Sequence, residues 1–381
     1  MNKRFDRERI EVRPLAARQN KLDIERDLIE PDTFTPTLSP EARSDVLAAA
    51  SEIRSARARD AAVILAFGAH SIKNGLSRVL IRLMEGGWVR HFATNGAGVI
   101  HDWEFAYQGR TGEDVRRYVA EGQFGIGEET GSCINLALAV GAWRGMGYGE
   151  SVGAMIAADG LELPSEAQLT ADIRAGADAA GTEDSGPLSD AALGKAAAAA
   201  DLLGLMRRRG IVPGWIAVAH PFKRHSLAAA AHQAGKPFTC HPMFGHDIIY
   251  THPMSSGAAI GRTAEPDFLS FTDSVSRLEG GVYLSVGSAV MSPMIFEKAL
   301  SMARNLSRRE AKKIEDFSIH VVDLARSSWD WSSGAEPSQD DPAYYLRFCK
   351  TFGRMGGRMS YASADNRSWL AALLAELEGK G

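Results

Sequence analysis

Cysteine is scarce in this chain and odd in number. Cys133, Cys240 and Cys349 lie far apart among 381 residues. That spacing excludes a disulfide framework and a cysteine zinc site, and it suits a reducing cytoplasm. Long apolar runs are missing as well. None approaches the ~20 residues that a membrane helix needs, so no membrane role is expected. Neither sign of charge dominates: 43 Lys and Arg stand against 47 Asp and Glu, for a net charge of −4. A general attraction to nucleic acid or to an anionic membrane is therefore not expected. The opening "MNKRFDRERIEVRPLAARQNK" has no apolar core and mixes acids among its arginines. A signal or transit peptide is not expected, and a cytoplasmic location is. There is also no internal repeat and no low-complexity tail. What is present is 45% apolar and 24% charged residues, the balance of a globular protein with a substantial core.

Residues 1–40 carry Pro14, Pro31, Pro36 and Pro40 and read as an extended arm; residues 41–381 read as a single domain. Ser39 is an N-cap with Pro40 at the first helical position, which predicts a helix from there. "AAVILAFGAH" is too short for an independent helix and reads as a buried strand. "SIKNGLSRVLIRLMEGG" has helical spacing and a Gly-Gly stop, and "WVRHFAT" is a second strand leaving through "NGAG", with a helix from about 101. This βαβ unit predicts a doubly wound, mostly parallel, Rossmann-like α/β sheet. Residues 158–190 read as a loop, followed by a helix in "AALGKAAAAADLLGLMRRRG". The alternation then resumes with strands at "GWIAVAH", "KPFTCHPM", "GVYLSVGS" and "FSIHVVDLA".

Ligands of such sheets lie outside the carboxyl ends of the strands. Four predicted strand ends carry small or polar residues: 67–75, 93–98, 285–290 and 322–335. Glycine there lets a backbone amide approach a pyrophosphate, and a following helix start favours its charge. None matches G-x-G-x-x-G, and a single such turn is more often only a turn. Four such ends would line one edge, which favours a nucleotide site over four unrelated turns. Asp102 either caps a helix or binds a ribose. His241, His246, Asp247 and His252 fall within twelve residues, but their spacings match no metal motif and no metal is expected. Glu128 and Glu129 are solvent-facing acids or substrate contacts. The irregular 327–351 stretch mixes aromatics and acids, as site-covering loops do. Lys350, at its end, reads as an ordinary surface charge on its residues alone.

From "NGLSRVLIRLMEGGWVRHFATNGAGVIHDWEFA" onward the chain resembles the deoxyhypusine synthase family. The family's T-x-A-G-G-V-x-x-D turn corresponds to Thr94, Asn95, Gly96, Ala97, Gly98 and Val99, with Asp102 in the aspartate place. "GKPFTCHPMFGHDIIYTH" is similar to the stretch leading into G-D-M-I-F-F-H, matching Asp247 and His252. "SSGAEPSQDD" resembles S-G-A-R-P-D-E, and "RFCKT" falls at W-G-K, which puts Lys350 in the place of the catalytic lysine. The likeness covers about 60–375. It departs at "VGSAVMSPMI", where the family has K-H-H-I, and at Phe348, where the family has tryptophan.

The resemblance implies a tetramer with sites at a dimer interface, NAD as cofactor, oxidation of an amine substrate and alkylamine transfer through a lysine imine. Cofactor contacts are then expected at Gly68, Ser71, Thr94, Asn95, Gly96, Ala97, Gly98, Asp102, Gly287, Ser288, Asp323 and Ser333. Lys350, His101 and His246 are the expected catalytic residues. Asp247, Glu129, His252, Trp329 and Trp331 are the expected substrate contacts. A lysine nucleophile must be neutral, which requires burial or nearby cations. Two alternatives remain: an NAD-dependent lyase, cyclodeaminase or isomerase on a small amino-acid or sugar-like substrate, and a non-catalytic NAD-binding protein.

Overall fold

The structure, a computed structural model, describes residues 3–180 and 187–380. Six strands form one sheet: β1 (Val63–Phe67), β2 (His91–Thr94), β3 (Phe238–Cys240), β4 (Val282–Val286), β5 (Ser318–Asp323) and β6 (Arg358–Ser363). They lie in the order β3-β2-β1-β4-β5-β6, and every neighbouring pair is parallel. In β1, Val63, Leu65 and Phe67 enter one apolar core while Ile64 and Ala66 enter the other. Helices cover both faces, so the strand reads as an unbroken apolar run. The doubly wound α/β expectation holds. The order reverses between β1 and β4, which puts a crevice at their carboxyl ends.

Besides two short helices, Ile24–Asp27 and Val115–Ala120, the helices are α1 (Pro40–Ala58), α2 (Ala69–Lys73), α3 (Ser77–Glu85), α4 (Gly96–Gln108), α5 (Glu128–Arg144), α6 (Tyr148–Ala158) and α7 (Glu166–Ala180). They continue with α8 (Pro187–Arg209), α9 (Leu227–Gln233), α10 (Gly257–Ser276), α11 (Met291–Arg309), α12 (Arg347–Gly353) and α13 (Asn366–Leu377). The Ser39 side chain caps α1 by accepting from the Ala42 amide, with Pro40 at the first position, as the sequence predicts. One core gathers α1, α3, α4, α5, α6 and α13 against the sheet. The other packs Phe271, Phe296, Phe317 and Phe352 from the α10, α11 and α12 side. Among the described residues, no helix is long and apolar enough to cross a membrane.

Four expectations are corrected. "GWIAVAH" does form a strand, Gly214–Ala217, but it pairs antiparallel with Gly160–Leu163 outside the main sheet. The stretch read as a loop from 158 contains that partner strand and α7; residues 181–186 lie outside the described ones. The sixth place in the sheet goes to "RMSYAS" in β6, where polar and exposed positions masked the strand pattern. The arm read as extended folds back on its own chain. Leu15, Ile24 and Ile29 are buried in this chain's own core, and Leu22–Asp23 pairs with Arg110–Thr111.

Candidate functional site

The turn after β2 is not a loop but the first turn of α4. Asn95 caps it, its side chain accepting from the Gly98 amide at 2.9 Å. Thr94 ties the turn to β1 by donating to the Phe67 carbonyl at 3.0 Å. Gly96 and Gly98 are required by contact: a Cβ on Gly98 would collide with the Thr94 hydroxyl, and one on Gly96 with the Asp247 carboxylate. Asp247 thus lies against the first turn of α4, the place where a pyrophosphate was expected. Burial pushes its pKa up to about 6, although the Met243 and Ala97 amides pull the other way. Its Oδ2 is buried with no hydrogen-bond partner.

That carboxylate lines a cavity of about 190 Å³ between α4, the arm and the segment after β3. Ala97, His101, Glu104, Lys73, Arg18, Glu113 and His246 share its wall. Arg18 is held by Glu104 at 2.7 Å and Glu113 at 3.3 Å. The Thr111 hydroxyl donates to Glu104, so it accepts from His101 Nδ1 at 2.7 Å. That assignment leaves the His101 Nε2 lone pair free. Burial holds the His101 pKa down to about 4, so the ring is neutral near pH 7. His101, His246, Asp247 and Ala97 line this one cavity. The strand-end stretch 67–75 contained Lys73, but nothing marked it out. Arg18, Glu104 and Glu113 carried no local signal, because their meeting depends on how the arm folds back.

The second candidate region is the crevice at the switch point. A Cβ on Gly68 would collide with the Gly287 carbonyl, so only glycine lets the ends of β1 and β4 close up. Gly287 has φ +58°, a conformation that favours glycine. Ser288 accepts from the Ser292 amide at 3.2 Å, and Asp323 from the Ala325 amide at 3.0 Å. Gly68, Gly287 and Ser288 make these strand ends small and polar, whereas Asp247 covers the first turn of α4.

Several expected site residues stand elsewhere. Asp102 is buried and accepts from the Leu227 amide at 2.9 Å and the Ala228 amide at 3.3 Å, and also from the Ser226 hydroxyl. It holds the start of α9 and is not at the crevice for a ribose. Ser71 is fully buried against Asn366. Glu129 accepts from the Leu15 amide at 2.6 Å and anchors the arm. His252 is buried against Gly131, with Glu128 3.6 Å away. Trp331 and Trp329 donate to the Ser327 hydroxyl and the Ala335 carbonyl and fasten the loop after β5. Ser333 is exposed in that loop. The Lys350 ammonium lies 3.3 Å from the centre of the Tyr344 ring. Its helix packs on α11, on β6 and on the turn Trp331–Ser333. β6 stands four strands from β2, roughly 19 Å at ~4.8 Å per strand. Within one chain Lys350 does not join the cavity. Among the described residues, no three His, Cys, Asp or Glu are grouped to hold a metal.

Scans against family models and curated proteins gave no match. Among solved structures, a ternary complex of AgrE with ornithine and NAD+ superposes with a TM-score of 0.43 at 13% identity, over 91% of this chain. ArgZ, an arginine dihydrolase of the cyanobacterial ornithine–ammonia cycle, gives 0.42 at 12% over 90% of this chain. A conserved LOR/SDH protein of Methanococcus maripaludis S2 gives 0.41 at 11%, over 92% of this chain and 72% of its own. The chain spans 34% of AgrE and 32% of ArgZ, about a third of each. Likenesses this distant carry no function across.

Proposed function

We propose that this chain is an NAD-dependent enzyme that acts on a small amine in the cavity beside α4, as a lyase of cyclodeaminase or isomerase type. The observation that carries this reading is Asp247: a buried carboxylate in the wall of a cavity at the carboxyl edge of the sheet, with one oxygen that has no hydrogen-bond partner among the described residues. Such a group calls for a cationic or hydrogen-bond-donating ligand. Gly68, Gly287 and Ser288 would hold the cofactor in the crevice, where a nicotinamide supplies a hydride acceptor when bound. Asp247 holds the substrate ammonium. His101 Nε2 accepts the proton that the ammonium or its neighbouring carbon releases. Ile100, Val115, Phe124 and Ile248 give the same space an apolar wall.

The deoxyhypusine synthase-like reading, alkylamine transfer from a polyamine through Lys350 in a cytoplasmic homotetramer, requires Lys350 to enter the cavity of a partner subunit. Its unpaired ammonium over Tyr344 is the observation in its favour. One experiment separates the readings: NAD+ titration and substrate turnover in wild type, Lys350→Arg and Asp247→Asn. All three should bind NAD+; Lys350→Arg should keep turnover and Asp247→Asn should lose it. Loss of turnover in Lys350→Arg with NAD+ affinity intact would favour transfer instead, because arginine cannot form an imine.

A further inference from the structure

Resting on the reading of the cavity as an amine site, we propose that its substrate is a small diamino acid rather than a polyamine, with a carboxylate on Lys73 and an ammonium on Asp247. The charges of the cavity wall support this. Arg18 is already engaged by Glu104 and Glu113. Glu104 also accepts from Thr130 at 2.9 Å, and Glu113 from the Gly125 amide at 3.1 Å. His101 is bonded to Thr111. Two opposite charges are left without an ion pair among the described residues: the Lys73 ammonium, half-buried at the end of α2, and the Asp247 carboxylate, which the Met243 and Ala97 amides reach but whose Oδ2 has no hydrogen-bond partner.

A polyamine offers no group for Lys73 and would set a second ammonium against it. An amino acid answers both charges at once. His101 is neutral, and among Arg18, Lys73, Glu104, Glu113 and Asp247 the acids outnumber the bases by one, so the complementary ligand carries a net positive charge. A diamino acid does so, with two ammonium groups and one carboxylate. Burial, and the Lys21 ammonium beyond it, lower the Lys73 pKa, which is what an ammonium lacking its anion experiences.

The test is calorimetric titration of the NAD+-loaded protein with L-ornithine and with putrescine, which differ only in the carboxylate. Wild type should bind ornithine at least about tenfold more tightly, the scale of a charge-assisted contact in a partly buried site. Lys73→Met should remove that preference, weakening ornithine and tightening putrescine, and Lys73→Arg should keep it within a few-fold. Asp247→Asn should weaken both ligands. Putrescine binding as tightly as ornithine in wild type, or Lys73→Met weakening both equally, overturns this inference alone. If neither ligand binds, the reading of the cavity as an amine site falls with it.

Discussion

His320 on β5 is buried between two acids of α1, with Nδ1 2.9 Å from Asp45 and Nε2 2.7 Å from Glu52. Asp45 also accepts from the Trp369 indole at 2.9 Å and from the Ser360 hydroxyl, so one cluster fastens α1, α13 and the β5–β6 edge. Burial alone would lower the His320 pKa. The hydrogen bonds and charges of Asp45 and Glu52 outweigh it and raise the pKa to about 9. A raised pKa means that the folded state binds the proton more tightly than the unfolded one. The stabilisation is therefore complete below the unfolded value and is lost as pH climbs through the folded value. At ~1.36 kcal/mol per pKa unit, a rise from about 6.5 to about 9 amounts to about 3 kcal/mol as an upper bound.

Replacing His320 by Gln leaves Asp45 buried without its cation and should cost ~3–5 kcal/mol at pH 6. The cost should lie at the low end, because Glu52 is 34% exposed and water can reach it. Urea denaturation of wild type and His320→Gln at half-unit steps from pH 6 to 9.5 measures both quantities. The gap between the two proteins should narrow steadily from pH 6.5 upward. A constant gap across that range, or a wild type whose stability does not fall, would refute the charged clamp.

Asp102→Ala should lower stability by ~1–3 kcal/mol, since it strips the start of α9 of its acceptor, while the NAD+ dissociation constant stays unchanged. A tenfold loss of NAD+ affinity with an unaltered melting temperature would restore the ribose role. Gly68→Ala should cost ~1–3 kcal/mol, because the Gly287 backbone it meets has no rotamer to yield; thermal melting checks it, and an unshifted Tm would contradict the close approach. Amine affinity should rise about tenfold between pH 5 and 7 as the Asp247 carboxyl, with its pKa near 6, ionises. The same titration in Asp247→Asn should be flat, and a wild-type profile that is also flat would remove Asp247 from the site.

The sequence alone determined the layer architecture. β1, β2, β4 and β5 are largely apolar and buried on both faces, and that pattern survives in any sheet covered on both sides. It also placed the strand ends, because Gly68, Gly96 and Gly287 punctuate the runs. β6 escaped because an edge strand exposed in part need not be apolar. The Gly214–Ala217 strand has the right local pattern, but local pattern does not say which sheet a strand joins. Asp102 and Asp247 show the same limit in the site. Both are acids beside glycine-rich turns, and the sequence could give either of them the ligand. Only the packing of α9 made Asp102 a helix acceptor, and only the segment after β3 set Asp247 against α4 with an oxygen left over. Lys73 and Arg18 were ordinary cations until the arm folded back and gave Arg18 two carboxylates and Lys73 none. Partners come from contacts between residues distant in the chain, and those contacts exist only once the tertiary structure has formed.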